Sequence, residues 1–138
     1  MRAMTTQGRG RQMRRTVATT APWAATVGYS RAVRAGNGIH VAGTASVADD
    51  GSIAHPGDAY LQARRCLEII VAALRELGAG PEHVVRTRMY VREPDDWEAV
   101  GRAHGEVFRD VRPATTMVFT GFIDPAMLVE IVADAIVN

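Results

Sequence analysis

Lysine is absent from this 138-residue chain, so all 16 of its basic side chains are arginines. With so much alanine beside them, they point to a GC-rich genome more than to a function. Cysteine occurs once, as Cys66, which excludes an internal disulfide and a cysteine-based zinc cage. No run approaches the ~18 apolar residues of a membrane span. The opening stretch MRAMTTQGRGRQ lacks the apolar core of a secretory signal. A cytoplasmic protein with no membrane partner is the expectation.

Acidic residues are missing from the first 15 positions, which hold five arginines. From Thr16 on, eleven arginines face fifteen acids, a balance of −4. Residues 1–12 therefore read as a disordered basic tail, and residues 13–138 as one domain, with Met13 an alternative start. An acidic body argues against nucleic acid as a partner, because phosphate recognition needs a basic face. A domain of this length buries about two thirds of its surface on folding, enough for a core without staples.

Several elements are written into the patterning. Arg14–Thr19 reads as a short strand, and Pro22 to Gly28 as a loop carrying Trp23. Ser30–Ala35 and Gly38–Gly43 read as strands joined at Gly36-Asn37, residues that tolerate positive φ. The clearest helix runs from Asp58 to Leu77. Its stripe is Ala63, Leu67, Ile70, Leu74 and Leu77, with Asp58 as N-cap, Gly78 as stop, and Arg64 and Glu68 one turn apart on the wet side.

His83–Val91 reads as a strand. Strict alternation puts Val85, Thr87, Met89 and Val91 on one face and Val84, Arg86, Arg88 and Tyr90 on the other. A second helix follows, with Asp95 and Glu98 in a capping-box pattern and Trp97, Val100, Gly101, His104, Val107 and Phe108 on one face. Ala114–Thr120 and Leu128–Val137 read as the last strands. The expected fold is α+β, a mixed sheet with two helices on one face. The final strands carry aliphatic residues on both faces, so subunits are expected to bury the second face.

Gly28-Tyr29-Ser30-Arg31-Ala32-Val33, then Gly36-Asn37 and Val41-Ala42-Gly43, resemble the opening of the Rid family. These are the reactive intermediate deaminases, also called the YjgF/YER057c/UK114 family. Gln62, Gly78, Val84-Val85, Pro113-Ala114 and Val129-Glu130-Ile131 continue the resemblance in order, from about Arg14 to Val137. It implies a chorismate-mutase-like fold, a homotrimer, and small-molecule clefts between subunits. The implied chemistry is hydrolysis of enamines and imines to ammonia and a keto acid, with no cofactor and no metal.

Carried over residue by residue, the resemblance gives a mixed site. Tyr29 and Ser30 match substrate-contacting residues, and Glu130 matches the acid that positions or activates water. Deaminating members carry an arginine after Pro-Ala that grips a carboxylate through two hydrogen bonds; this chain has Thr115. Met117 replaces a cysteine, and Gly101 replaces an asparagine of the second helix. Arg88 is offered as a cation returned to the cleft from a neighbouring strand. A bridge to Glu130, Asp134 or a partner acid is the competing role.

The remaining polar residues read more plainly. His104 is expected as a packed core histidine and Cys66 as a small buried hydrophobe. His40, His55 and His83 show no ligand spacing. The resemblance without the arginine implies a specialised enzyme acting on a small imine, enamine or carbonyl compound. The alternative is a non-catalytic trimer that binds a metabolite or a protein. RNA cleavage, linked to some members of the family, is the reading the acidic body opposes most.

Overall fold

Alternation and turn chemistry build the sheet from its N-terminal edge. The computed structural model describes residues 14–138, so the expected tail at 1–12 and the start at Met13 lie outside the described residues. Strand β1 (Arg14–Val17) pairs antiparallel with β2 (Ala32–Ala35), and β2 pairs with β3 (Gly38–Ala45) through the expected hairpin. Gly36 sits in that turn at φ 62°, where a side chain would be strained. The stretch expected as loop around Trp23 contains one helical turn, α1 (Ala24–Val27), closed by Gly28 at φ 83°.

Helix α2 (Ala59–Glu76) begins where Asp58 accepts a hydrogen bond from the Leu61 amide at 2.9 Å. It stops at Gly78, which adopts φ 84°. Its whole expected stripe is buried, together with Cys66 and Gln62. Each fully buried leucine or isoleucine here contributes about 1.5–3 kcal/mol over an exposed one. Arg64 and Glu68 do not pair along the helix. Arg64 reaches across to Glu106 at 2.7 Å, and Glu68 lies 3.6 Å from Arg65, because the two helices lie close enough for the longer reach.

Strand β4 (Val84–Val91), helix α3 (Trp97–Phe108) and the parallel strand β5 (Ala114–Phe119) form a crossover unit. Strand β6 (Val129–Ile136) inserts between β3 and β4, antiparallel to both, giving the order β1-β2-β3-β6-β4-β5. Both long helices pack on one face, over Val129, Ile131, Ala133 and Ala135 of β6 and Met89 and Val91 of β4.

Two local expectations need correction. Val84 is buried and Val85 exposed, the reverse of strict alternation. An irregularity in the β4–β6 register between Val84 and Arg86 shifts the faces at the start of the strand. The capping box at Asp95 does not form. A 3-10 turn over Pro94–Asp96 leads into α3 with no side-chain cap, and Trp97 is exposed rather than on the buried face.

Candidate functional site

Alternation along β6 is the first determinant of the site. With Val129 and Ile131 in the core, Glu130 must project from the opposite, helix-free face. Its neighbour across β4 is Tyr90, and across β3 it is Ala45. The β3–β6 register slips between Val41 and Thr44, and Gly43 lies in that irregularity. The Glu130 side chain occupies the space a Cβ on Gly43 would need: such an atom would lie 2.7 Å from Oε1 and 2.9 Å from Cδ. A glycine inside a strand marks a close approach of another group, and here that group is the carboxylate.

Arg31 braces the same glycine. Its Nη2 donates to the Gly43 carbonyl at 2.6 Å, and its guanidinium lies 5.9 Å from the centre of the Tyr29 ring. Arg31 is only 6% exposed. Glu130 is half-buried, and burial pushes its carboxyl above the usual glutamate range, with Arg31 pulling the other way. A carboxyl raised in this manner holds a proton more readily than a surface acid and can both take and return one.

A second polar group lies on the helix side. Thr115 pairs with Thr87 in the β4–β5 register, and their hydroxyls are 2.8 Å apart. Thr87 is fully buried and also meets His104 Nε2 at 2.8 Å, while Thr115 donates to the Pro113 carbonyl at 3.0 Å. His104 packs against Phe108 with ring centres 4.7 Å apart and planes tilted by 45°, and burial lowers its pKa. The packed, hydrogen-bonded histidine expected from its stripe is what is found. A cavity of about 380 Å³ opens beside Thr115, lined also by His104, Phe108, Arg109 and Arg112.

The expected site residues therefore fall into two groups. Tyr29 and Ser30 precede β2, next to Arg31, which reaches Gly43 beside Glu130. Thr115 and Met117 share the helix-side face of β5 with Thr87 and Met89 of β4, and Gly101 lies on α3. Arg88 projects from the helix-free face, exposed, opposite Val132 and next to Thr116. Among the described residues it makes no ion pair with Glu130 or with Asp134, whose carboxylate meets His40 at 2.7 Å.

Arg31 and Gly43 carry no functional signature of their own in the sequence, although both lie in the stretches that carry the resemblance. A signal existed for Gly43, a glycine interrupting an apolar strand, but nothing in the sequence showed which side chain fills the gap. No three His, Cys, Asp or Glu residues cluster as a metal would need among the described residues. No helix of the described residues is long and apolar enough to cross a membrane.

A six-stranded mixed sheet with two long helices on one face and a strand-borne acid over a glycine on the other define an α+β protein. The endoribonuclease L-PSP family profile matches residues 18–137. The uncharacterized protein SCO2049 of Streptomyces coelicolor is 42% identical, covering 88% of this chain and 90% of its own. The 3-aminoacrylate deaminase RutC of Acinetobacter baylyi is 31% identical, covering 78% and 85%. The crystal structure of Rv2704 from Mycobacterium tuberculosis, described as a member of the YjgF/YER057c/UK114 family, superposes with a TM-score of 0.80. It is 42% identical and covers 90% of this chain and 99% of its own. The chain belongs to this family, the Rid family, and has its fold.

Proposed function

We propose that this protein is a cofactor-independent enzyme that hydrolyses a small imine or enamine, with Glu130 moving the protons. The observation that carries the reading is the half-buried Glu130 carboxyl held over Gly43, with its pKa raised by burial. An enamine first takes a proton on carbon from the Glu130 carboxyl to become the iminium ion. Water then adds to the iminium carbon, forming a C–O bond while the Glu130 carboxylate accepts a proton from it. Glu130 returns that proton to nitrogen, the C–N bond breaks, and the carboxylate takes the hydroxyl proton, so ammonia leaves, a carbonyl remains and Glu130 is protonated again. The 31% identity to a 3-aminoacrylate deaminase supports this reaction class and makes 3-aminoacrylate the first compound to try.

The placement of the two residue groups supports a cleft between subunits of a homotrimer. Glu130 and Thr115 project from opposite faces of one sheet, so a single chain does not bring them to one reacting atom. A neighbouring copy presenting its β5 edge beside Glu130 would. Tyr29 and Ser30 would then contact substrate from the Glu130 side, and Gly101, Thr115 and Met117 from the other. Thr115 offers one neutral hydroxyl where a guanidinium fork would grip a carboxylate, which favours a narrow substrate range over general imino-acid deamination. Arg88, Arg109 and Arg112 are cations near enough to the two groups to steer an anionic substrate.

The vacancy at Thr115 also favours a second reading, a trimer that binds a metabolite or protein without turning it over. Imines generated in situ by an amino-acid oxidase, or 3-aminoacrylate itself, can be trapped with semicarbazide. The enzyme reading predicts less trapped adduct and faster ammonia release. Unchanged trapping across the whole set, together with ligand-induced stabilisation, would favour the binder.

A further inference from the structure

A second cavity, of about 240 Å³, lies between β1 with its following loop and helix α2, and shares only Arg31 with the residues around Glu130. Val17, Val47, Ile69 and Ala72 give it an apolar wall, and Thr19 and Thr20 add polar groups. Arg31 and Arg65 also line it. Their situations differ. Arg65 donates to the Val47 carbonyl at 3.1 Å and lies 3.6 Å from both Asp49 and Glu68, so its charge is answered.

Arg31 is more than nine-tenths buried, and its Nε has no hydrogen-bond partner among the described residues. No carboxylate lies within ion-pair distance of it among those residues. Its Nη2 is answered by the Gly43 carbonyl, so the guanidinium is partly satisfied, and a buried cation short of acceptors is costly in a way that a bound anion offsets.

We propose that this cavity is a ligand site for a small monocarboxylate, its apolar body against Ile69 and Val47 and its carboxylate satisfied by Arg31. A single negative charge fits better than two. Glu68 and Glu76 also line the cavity and would repel a dianion. The site shares neither Glu130 nor Thr115 with the cleft, so it stands whether or not the protein is an enzyme.

Benzoate and butyrate are suitable probes, each set against its uncharged amide, benzamide or butyramide. Titration calorimetry on the full chain is expected to show binding of a carboxylate, with the matching amide at least ~10-fold weaker, as loss of a charge-assisted hydrogen bond implies. Amide chemical shifts in NMR should move at residues 17–20 and 69–73. Ala72→Leu, at an exposed position, should fill the cavity and abolish binding while the protein stays folded. Arg31→Gln should remove the preference for acid over amide. Glu130→Gln should bind benzoate at least as tightly as the unaltered chain, since it removes a negative charge near Arg31, and this separates the cavity from a cleft that depends on Glu130. Equal affinity for acid and amide would overturn the proposal. So would unchanged binding in Ala72→Leu, or absence of binding by both acids.

Discussion

Gly43 and Glu130 occupy a space that only glycine leaves open, with the missing Cβ position 2.7 Å from the Glu130 carboxylate oxygen. The atoms that would clash belong to the far end of a flexible side chain. Gly43→Ala is therefore expected to fold with a small change in melting temperature while displacing the carboxylate. Turnover should fall by roughly 10–100-fold, as a misplacement of about 1 Å in a reacting group implies. In a Glu130→Gln background the same change should add little, because the two act through one group. Additive losses in the double variant would mean that Gly43 matters for another reason.

Stability should carry the signature of the buried acid. Burial raises the Glu130 pKa, so the folded chain holds this proton more tightly than the unfolded chain. The resulting stabilisation is complete below the ordinary glutamate range and is lost as pH rises through the raised value. Glu130→Gln should accordingly be more stable than the unaltered chain at about pH 8 and no more stable at about pH 4. Thermal melts of both proteins across that range check the sign.

His104 titrates in the opposite sense. Burial lowers its pKa, so the fold favours the neutral ring; that contribution is full above the ordinary histidine range and is lost as pH falls below it. Thr87→Val should cost about 1–3 kcal/mol, because the buried threonine hydroxyl links His104 Nε2 and Thr115, and removing it leaves polar groups short of a partner. Chemical denaturation measures this cost. His104→Gln should flatten the pH dependence between about pH 5 and 7.

Thr115 is exposed on the edge strand, so a longer side chain has room there. Thr115→Arg would place a guanidinium fork after Pro113-Ala114, as deaminating members of the family have. It is expected to widen the substrate range toward imines of ordinary amino acids, seen as reduced semicarbazide trapping. A variant no better than the unaltered chain would show that the arginine alone does not confer the range.

Most of the architecture was legible because it follows from local chemistry. The α2 stripe with Asp58 and Gly78 at its ends, the Gly36-Asn37 hairpin and the two-faced β6 each carry their own signal. The elements misplaced by pattern alone were set by register. A shift near the start of β4 exchanged the faces of Val84 and Val85, and a 3-10 turn replaced the cap at Asp95. The site was half legible. Glu130 stood out as an acid in an apolar strand, whereas Arg31 became visible only once β3 brought the Gly43 carbonyl to its guanidinium. That contact joins a residue just before β2 to one twelve positions on in β3, and no periodicity encodes it.

The most direct test compares ammonia release by the unaltered chain and Glu130→Gln, with 3-aminoacrylate and with oxidase-generated imines as substrates. Matched melting curves would show that both proteins are folded. The account predicts that turnover falls at least ~100-fold in the variant, the lower range for loss of a general acid–base group, while ligand-induced stabilisation persists. A folded Glu130→Gln that turns over as fast as the unaltered chain would contradict it.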